Sequence, residues 1–97
     1  MVYQYGGVAK MPEQRIRILG APWCPDCQRA KRFLDQRQVS YEWTDIDQDE
    51  QARAYVRQVN GGKQIIPTIV FPDGSILVEP SNAQLARKLA SLTSSHP

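Results

Sequence analysis

Between Gln14 and Arg37 the hydrophobic repeat changes length once, and that change limits what the chain can fold into. Arg15, Ile16, Arg17 and Ile18 alternate at period two, as a strand with one buried face would, and Gly20 with Pro22 ends the run. After the stretch "GAPWCPDC", Ala30, Phe33 and Leu34 recur at helical spacing among Arg29, Lys31, Arg32 and Asp35. The spacing predicts a strand over 14–19 and a helix from Pro25 to Arg37. The junction between them holds both cysteines of the chain, Cys24 and Cys27.

The same alternation of patterns continues to the C-terminus. "VSYEWTDID" interleaves aromatic and β-branched residues with polar ones and reads as a second strand. Asp47 with Glu50 resembles a capping box for a helix over 48–59, with Ala52, Tyr55, Val56 and Val59 as its apolar stripe and Asn60-Gly61-Gly62 as its stop. "IIPTIVF" and "SILVE", joined by "PDG", read as a hairpin. Ser81 and Gln84 form an S-x-x-Q cap for a last helix through Leu85, Leu89 and Leu92.

The order is β-α-β-α-β-β-α, an α/β arrangement: a four-stranded mixed sheet with three helices on its two faces, parallel at the first crossover and antiparallel at the hairpin. With 97 residues this is one domain over 14–93, with an N-terminal extension over 1–13, loose or forming an added strand, and a frayed tail over 94–97. In such a sheet the carboxyl end of a strand and the start of the next helix form an open edge where chemistry can occur.

Charge and hydropathy exclude several functions. Twelve basic and ten acidic residues are interspersed along the chain, without the basic block that nucleic-acid binding uses. No apolar run reaches the roughly 18 residues of a membrane span, and "MVYQYGGVAKMPEQ" has no signal-peptide core. The expectation is a cytoplasmic monomer.

Two cysteines so close in sequence close too short a loop to staple a domain. A zinc site needs four ligands, and the only other soft ligand is His96 in the tail, which reads as a solvated terminal residue. Reactivity remains. Pro25 suits the first helical turn, where free backbone N–H groups and the positive end of the helix dipole favour thiolate at Cys24. Asp26 opposes this, and Arg29, Lys31 and Arg32 act the other way, although that run also reads as a solvated helix face. Cys24 is the expected nucleophile, and Cys27, one turn further in, the thiol that resolves a mixed disulfide. Trp23 is placed to contact substrate, Trp43 and Tyr41 to pack. Pro67 could be cis or trans on the residues alone.

"WCPDC" after a strand and "IIPTIVFPDGSILVEPS" after the second helix resemble the thioredoxin-fold redoxins, and within them the glutaredoxin branch. "VNGGKQIIPTIVFPDGSILVEPS" is most similar to the mycoredoxins. The resemblance spans residues 14–93 and implies a thioredoxin-like fold and a dithiol–disulfide oxidoreductase. It implies a cis bond before Pro67 and a substrate groove near Trp23, Pro25, Asp26, Ile66, Pro67 and the "EPSN" segment over 79–82, with Ser81 and Asn82. It also implies disulfide-containing protein substrates, no bound cofactor, and a low-molecular-weight thiol as co-substrate, mycothiol, glutathione or another. A flavoprotein reductase is the alternative electron donor. Ala21 stands where many glutathione-dependent members have lysine, Asp26 where they have an aromatic residue, and "PSN" where they have an aspartate. The remaining alternative is a non-catalytic adaptor whose thiols hold a partner or a metal cluster shared between two chains.

Overall fold

The structure of the protein, a computed structural model, describes residues 15–94. Its elements are β1 (Ile16–Gly20), α1 (Pro25–Gln36), β2 (Tyr41–Asp45), α2 (Glu50–Val59), β3 (Thr68–Val70), β4 (Ile76–Val78) and α3 (Asn82–Ser94). The element order is the expected one. The extension over 1–13, His96 and the rest of the tail beyond Ser94 lie outside the described residues.

The strands form one mixed sheet in the order β2-β1-β3-β4. β1 and β2 run parallel with Ile18 opposite Trp43, and β1 and β3 run antiparallel with Ile18 opposite Ile69. β4 then pairs antiparallel with β3. Period two sends Ile16 and Ile18 to one face, where they pack with Ala30 and Leu34 of α1, Leu85 of α3, Ile69 and Phe71. Leu19 points the other way, into a second cluster with Ile46 and with Ala52 and Val56 of α2. β1 therefore buries both faces rather than the expected one, because a central strand under helices on both sides has no solvent face. Arg17, half-buried on that second face, keeps its Nε 3.5 Å from Glu42 on the neighbouring strand.

Several boundaries differ from expectation, each for a local reason. β2 is shorter than "VSYEWTDID" because the Val39 N–H donates to Leu34 O (3.0 Å) and the Asp47 N–H to Asp45 Oδ1 (2.9 Å), not to the ladder. β3 begins only at Thr68 because Pro67 has no N–H to give. The cap of α2 is Asp49, whose Oδ1 accepts the Ala52 N–H at 3.0 Å, and not Asp47. The Asp47 carboxylate is engaged elsewhere, by Trp23. At the start of α3 the expected box is present: Gln84 N–H donates to Ser81 Oγ (3.1 Å) and Ser81 N–H to Gln84 Oε1 (2.8 Å). The hairpin closes through Phe71 and Ser75, with Gly74 at φ 87, a left-handed position that glycine adopts without steric cost.

Candidate active site

The end of β1 and the start of α1 bring the two sulfurs together. Cys24 is the N-cap of α1, and its Sγ accepts the backbone N–H of Cys27 at 3.3 Å. Pro25 occupies the first turn, as expected, where its missing N–H leaves no donor unmatched. Cys24 keeps 6% of its surface in contact with solvent, Cys27 none, and neither is bridged. The Cys24 sulfur thus sits at the N-terminal end of α1 with a backbone N–H directed at it.

Cys27 is held in the opposite condition. Burial first, then the hydrogen bond and charge of Cys24, push its thiol up to about 12, while a hydrogen bond from the Ala21 backbone works against them. Its sulfur lies so close under Gly20 that a Cβ there would come within 2.5 Å of Sγ and 3.2 Å of the Trp43 ring. Gly20 is therefore a close-approach glycine, and Trp43 and Ile66 pack around the cysteine pair. Trp43 is a packing residue, as expected, with the Lys31 Nζ 4.1 Å over its ring, so Lys31 faces Trp43 and not Cys24.

An open groove of about 510 Å³ runs past Cys24. Trp23, Cys24, Pro25 and Asp26 line one side, and Gln64, Ile65, Ile66 and Glu79 the other. Trp23 is 66% exposed, yet its indole Nε1 donates to Asp47 Oδ2 at 2.8 Å, which pins the ring across the loop before α2. A larger depression at Arg15, Asp35 and Tyr41 contains no cysteine, so the nucleophile marks the smaller groove as the site.

The remaining expected residues divide. Ile66 lines the groove, and the Ile66–Pro67 bond is cis. Pro67 itself is buried beneath, with its carbonyl accepting the Glu79 N–H at 2.9 Å. The buried Thr68 secures that segment: its hydroxyl donates to Ile65 O (2.7 Å) and accepts from Asn60 Nδ2 (3.1 Å). Ser81 and Asn82 do not line the groove. The Ser81 hydroxyl caps α3, and Asn82 Oδ1 accepts from Arg29 Nη1 at 2.9 Å. Arg29 also donates to Pro80 O (3.1 Å) and lies 3.5 Å from Asp26 Oδ1, so it ties α1 to α3 and is no solvated bystander. Of the groove residues, Gln64 and Ile65 carried no signal in the sequence, nor did Asp47 as the partner of Trp23, whereas Glu79 is the first residue of the "EPSN" segment that the resemblance puts at the groove.

Comparison with known proteins agrees with this fold. The glutaredoxin family model matches residues 2–76. The chain is 35% identical to mycoredoxin 1 of Corynebacterium glutamicum over 77 residues, covering 79% of this chain and 95% of that protein. The solved structure of the thioredoxin-like protein BC3987 aligns with TM-score 0.66 at 29% identity, covering 75% of this chain and 97% of that one. The glutaredoxin from Archaeoglobus fulgidus shares the fold, with TM-score 0.63 at 24% identity over 84% of this chain and 96% of that one. A sulfur pair at the strand-to-helix junction of such a sheet, with these likenesses in sequence and shape, places the chain in the glutaredoxin family of thiol–disulfide oxidoreductases.

Proposed function

We propose that the protein is a dithiol–disulfide oxidoreductase that reduces protein disulfides, or mixed disulfides with a low-molecular-weight thiol, through Cys24 and Cys27. The observation that carries this is the asymmetry of the pair. Cys24 borders the groove and its sulfur accepts a backbone N–H, while Cys27 is fully buried directly behind it.

Cys24 thiolate attacks one sulfur of the substrate disulfide, forming a new S–S bond as the old one breaks, and the departing sulfur takes a proton. Two of the influences that keep Cys27 protonated, the hydrogen bond to Cys24 and its charge, disappear once Cys24 is bonded to sulfur. Cys27 then loses its proton, attacks the Cys24 sulfur and closes the internal disulfide, expelling the second substrate sulfur as a thiol. Two electrons have passed from the cysteine pair to the substrate. Two molecules of a small thiol such as mycothiol or glutathione return them and leave as their own disulfide, or a flavoprotein reductase does. The 35% identity to a mycoredoxin puts mycothiol first among these donors.

Cys27→Ser tests the assignment. Mixed with a disulfide substrate, the variant should accumulate a one-to-one adduct on Cys24, visible by intact mass and released by a strong reductant. A variant that turns over unhindered, or forms no adduct, would remove the proposal.

A further inference from the structure

Resting on the exchange chemistry just proposed, we infer that Glu79 and Asp26 determine which small thiol the groove accepts. They select against thiols that carry a carboxylate near the sulfur, and for neutral or cationic ones. Both residues line the groove beside Cys24, and no lysine or arginine does.

The charges around this point are not balanced. Asp26 is paired with Arg29 Nη2 at 3.5 Å, and the same guanidinium, which also donates to Asn82 Oδ1 and the Pro80 carbonyl, is one positive charge against the carboxylates of Asp26, Glu79 and Asp47. The Glu79 carboxylate has no ion-pair partner among the described residues. Lys63 adjoins Gln64 but is exposed and outside the groove lining. Asp47 adds a third carboxylate at the indole N–H of Trp23. The buried neighbour Cys27 carries no charge at neutral pH.

Backbone geometry singles out Glu79. It holds φ 49, in the left-handed region that side chains other than glycine and asparagine seldom adopt. Its N–H is committed to Pro67 O at 2.9 Å, so the position is fixed against the buried Pro67, next to Ile66 of the groove wall. Backbone strain of this kind collects where side-chain placement serves a site. Glycine would relieve the strain, and glutamate supplies a charge.

In the first exchange step the small thiol's sulfur bonds to Cys24 while the carrier leaves as a thiolate, so the small group R must enter the groove. A carboxylate on R then approaches Glu79 and Asp26. Release of R as a free thiol follows when Cys27 closes the disulfide, and two molecules of a low-molecular-weight thiol, which leave as their disulfide, or a flavoprotein reductase return the two electrons.

The test uses the full-length protein and one carrier peptide with a single cysteine, in mixed disulfide with 2-mercaptoethanol, with cysteamine, and with 3-mercaptopropionate. These probes differ chiefly in charge. At low salt the neutral and cationic substrates should exceed the anionic one by on the order of tenfold in kcat/KM, the size of a partly screened charge repulsion within a groove. Salt at about 1 M should narrow that gap, because charges more than about 3 Å apart are then screened. Glu79→Gln should reduce the neutral-to-anion ratio severalfold at low salt, and Glu79→Gly, which removes charge and strain together, should reduce it equally. Equal rates for the three probes, or a ratio that neither variant moves, would overturn the charge selection and leave disulfide exchange standing. Reduction of none of the three would overturn both.

Discussion

The hydrogen bond from Trp23 to Asp47 joins an exposed groove residue to a loop 24 positions away. An indole so exposed would otherwise sample several rotamers, so the carboxylate fixes one wall of the groove. Asp47→Ala should raise KM for a mixed disulfide about fivefold, the equivalent of one lost hydrogen bond of about 1 kcal/mol, with kcat nearly kept. Asp47→Asn, which retains an acceptor oxygen, should restore most of it. Steady-state kinetics decide the matter, and equal KM values for all three proteins would refute it. Gly20 acts through absence. A methyl group there meets the Cys27 sulfur at 2.5 Å, so Gly20→Ala should cost about 1–3 kcal/mol of stability by overpacking, measured by urea unfolding. An unchanged midpoint would show that the sulfur moves aside freely.

Helix starts separate what periodicity can locate from what it cannot. Both α2 and α3 were visible as apolar stripes, and the reciprocal cap of α3 was legible because serine and glutamine stand at the required spacing. "DIDQDE" offers three aspartates to α2, and spacing alone does not choose between them. Asp45 binds the N–H of Asp47, Asp47 holds Trp23, and Asp49 is left to cap. Asp49→Ala should therefore lower stability by about 1 kcal/mol, whereas Asp47→Ala should leave the helix start intact. Urea midpoints and far-ultraviolet circular dichroism of the two variants would distinguish them, and the reverse ranking would restore Asp47 as the cap. The hairpin is fastened to α3 by Lys88, whose Nζ lies 2.6 Å from Asp73. That contact, together with Ser75, holds the Asp73 carboxyl below its ordinary range.

Across the whole molecule the buried Cys27 and the half-buried Tyr41 set an alkaline limit. Folding pushes the Cys27 thiol up from its ordinary 9.0 to about 12, chiefly through burial. Between those values the unfolded chain has released a proton that the folded chain keeps, so stability falls as pH rises through this window and is fully present below it. Tyr41, desolvated and donating to Asp35 Oδ1 at 2.9 Å, moves from 10.0 to about 12 and acts in the same direction. Urea midpoints should decline from pH 9 to 11, and the double variant Cys27→Ala, Tyr41→Phe should decline less steeply. Parallel slopes would exclude these two groups as the cause.

The sequence by itself determined the element order, the strand-to-helix junction with its two cysteines, and the resemblance to glutaredoxins. Hydrophobic period, turn residues and helix caps are local properties, and each is written in a few adjacent positions. Only the tertiary structure decided that β1 is covered on both faces and that Cys27 lies beneath Gly20 and against Trp43. It alone brought Gln64 and Ile65 to the groove wall and left Ser81 and Asn82 outside it. Those outcomes depend on which distant segments meet across the sheet, and a side chain's partner, burial and charge environment are set by that meeting, not by its neighbours in the chain.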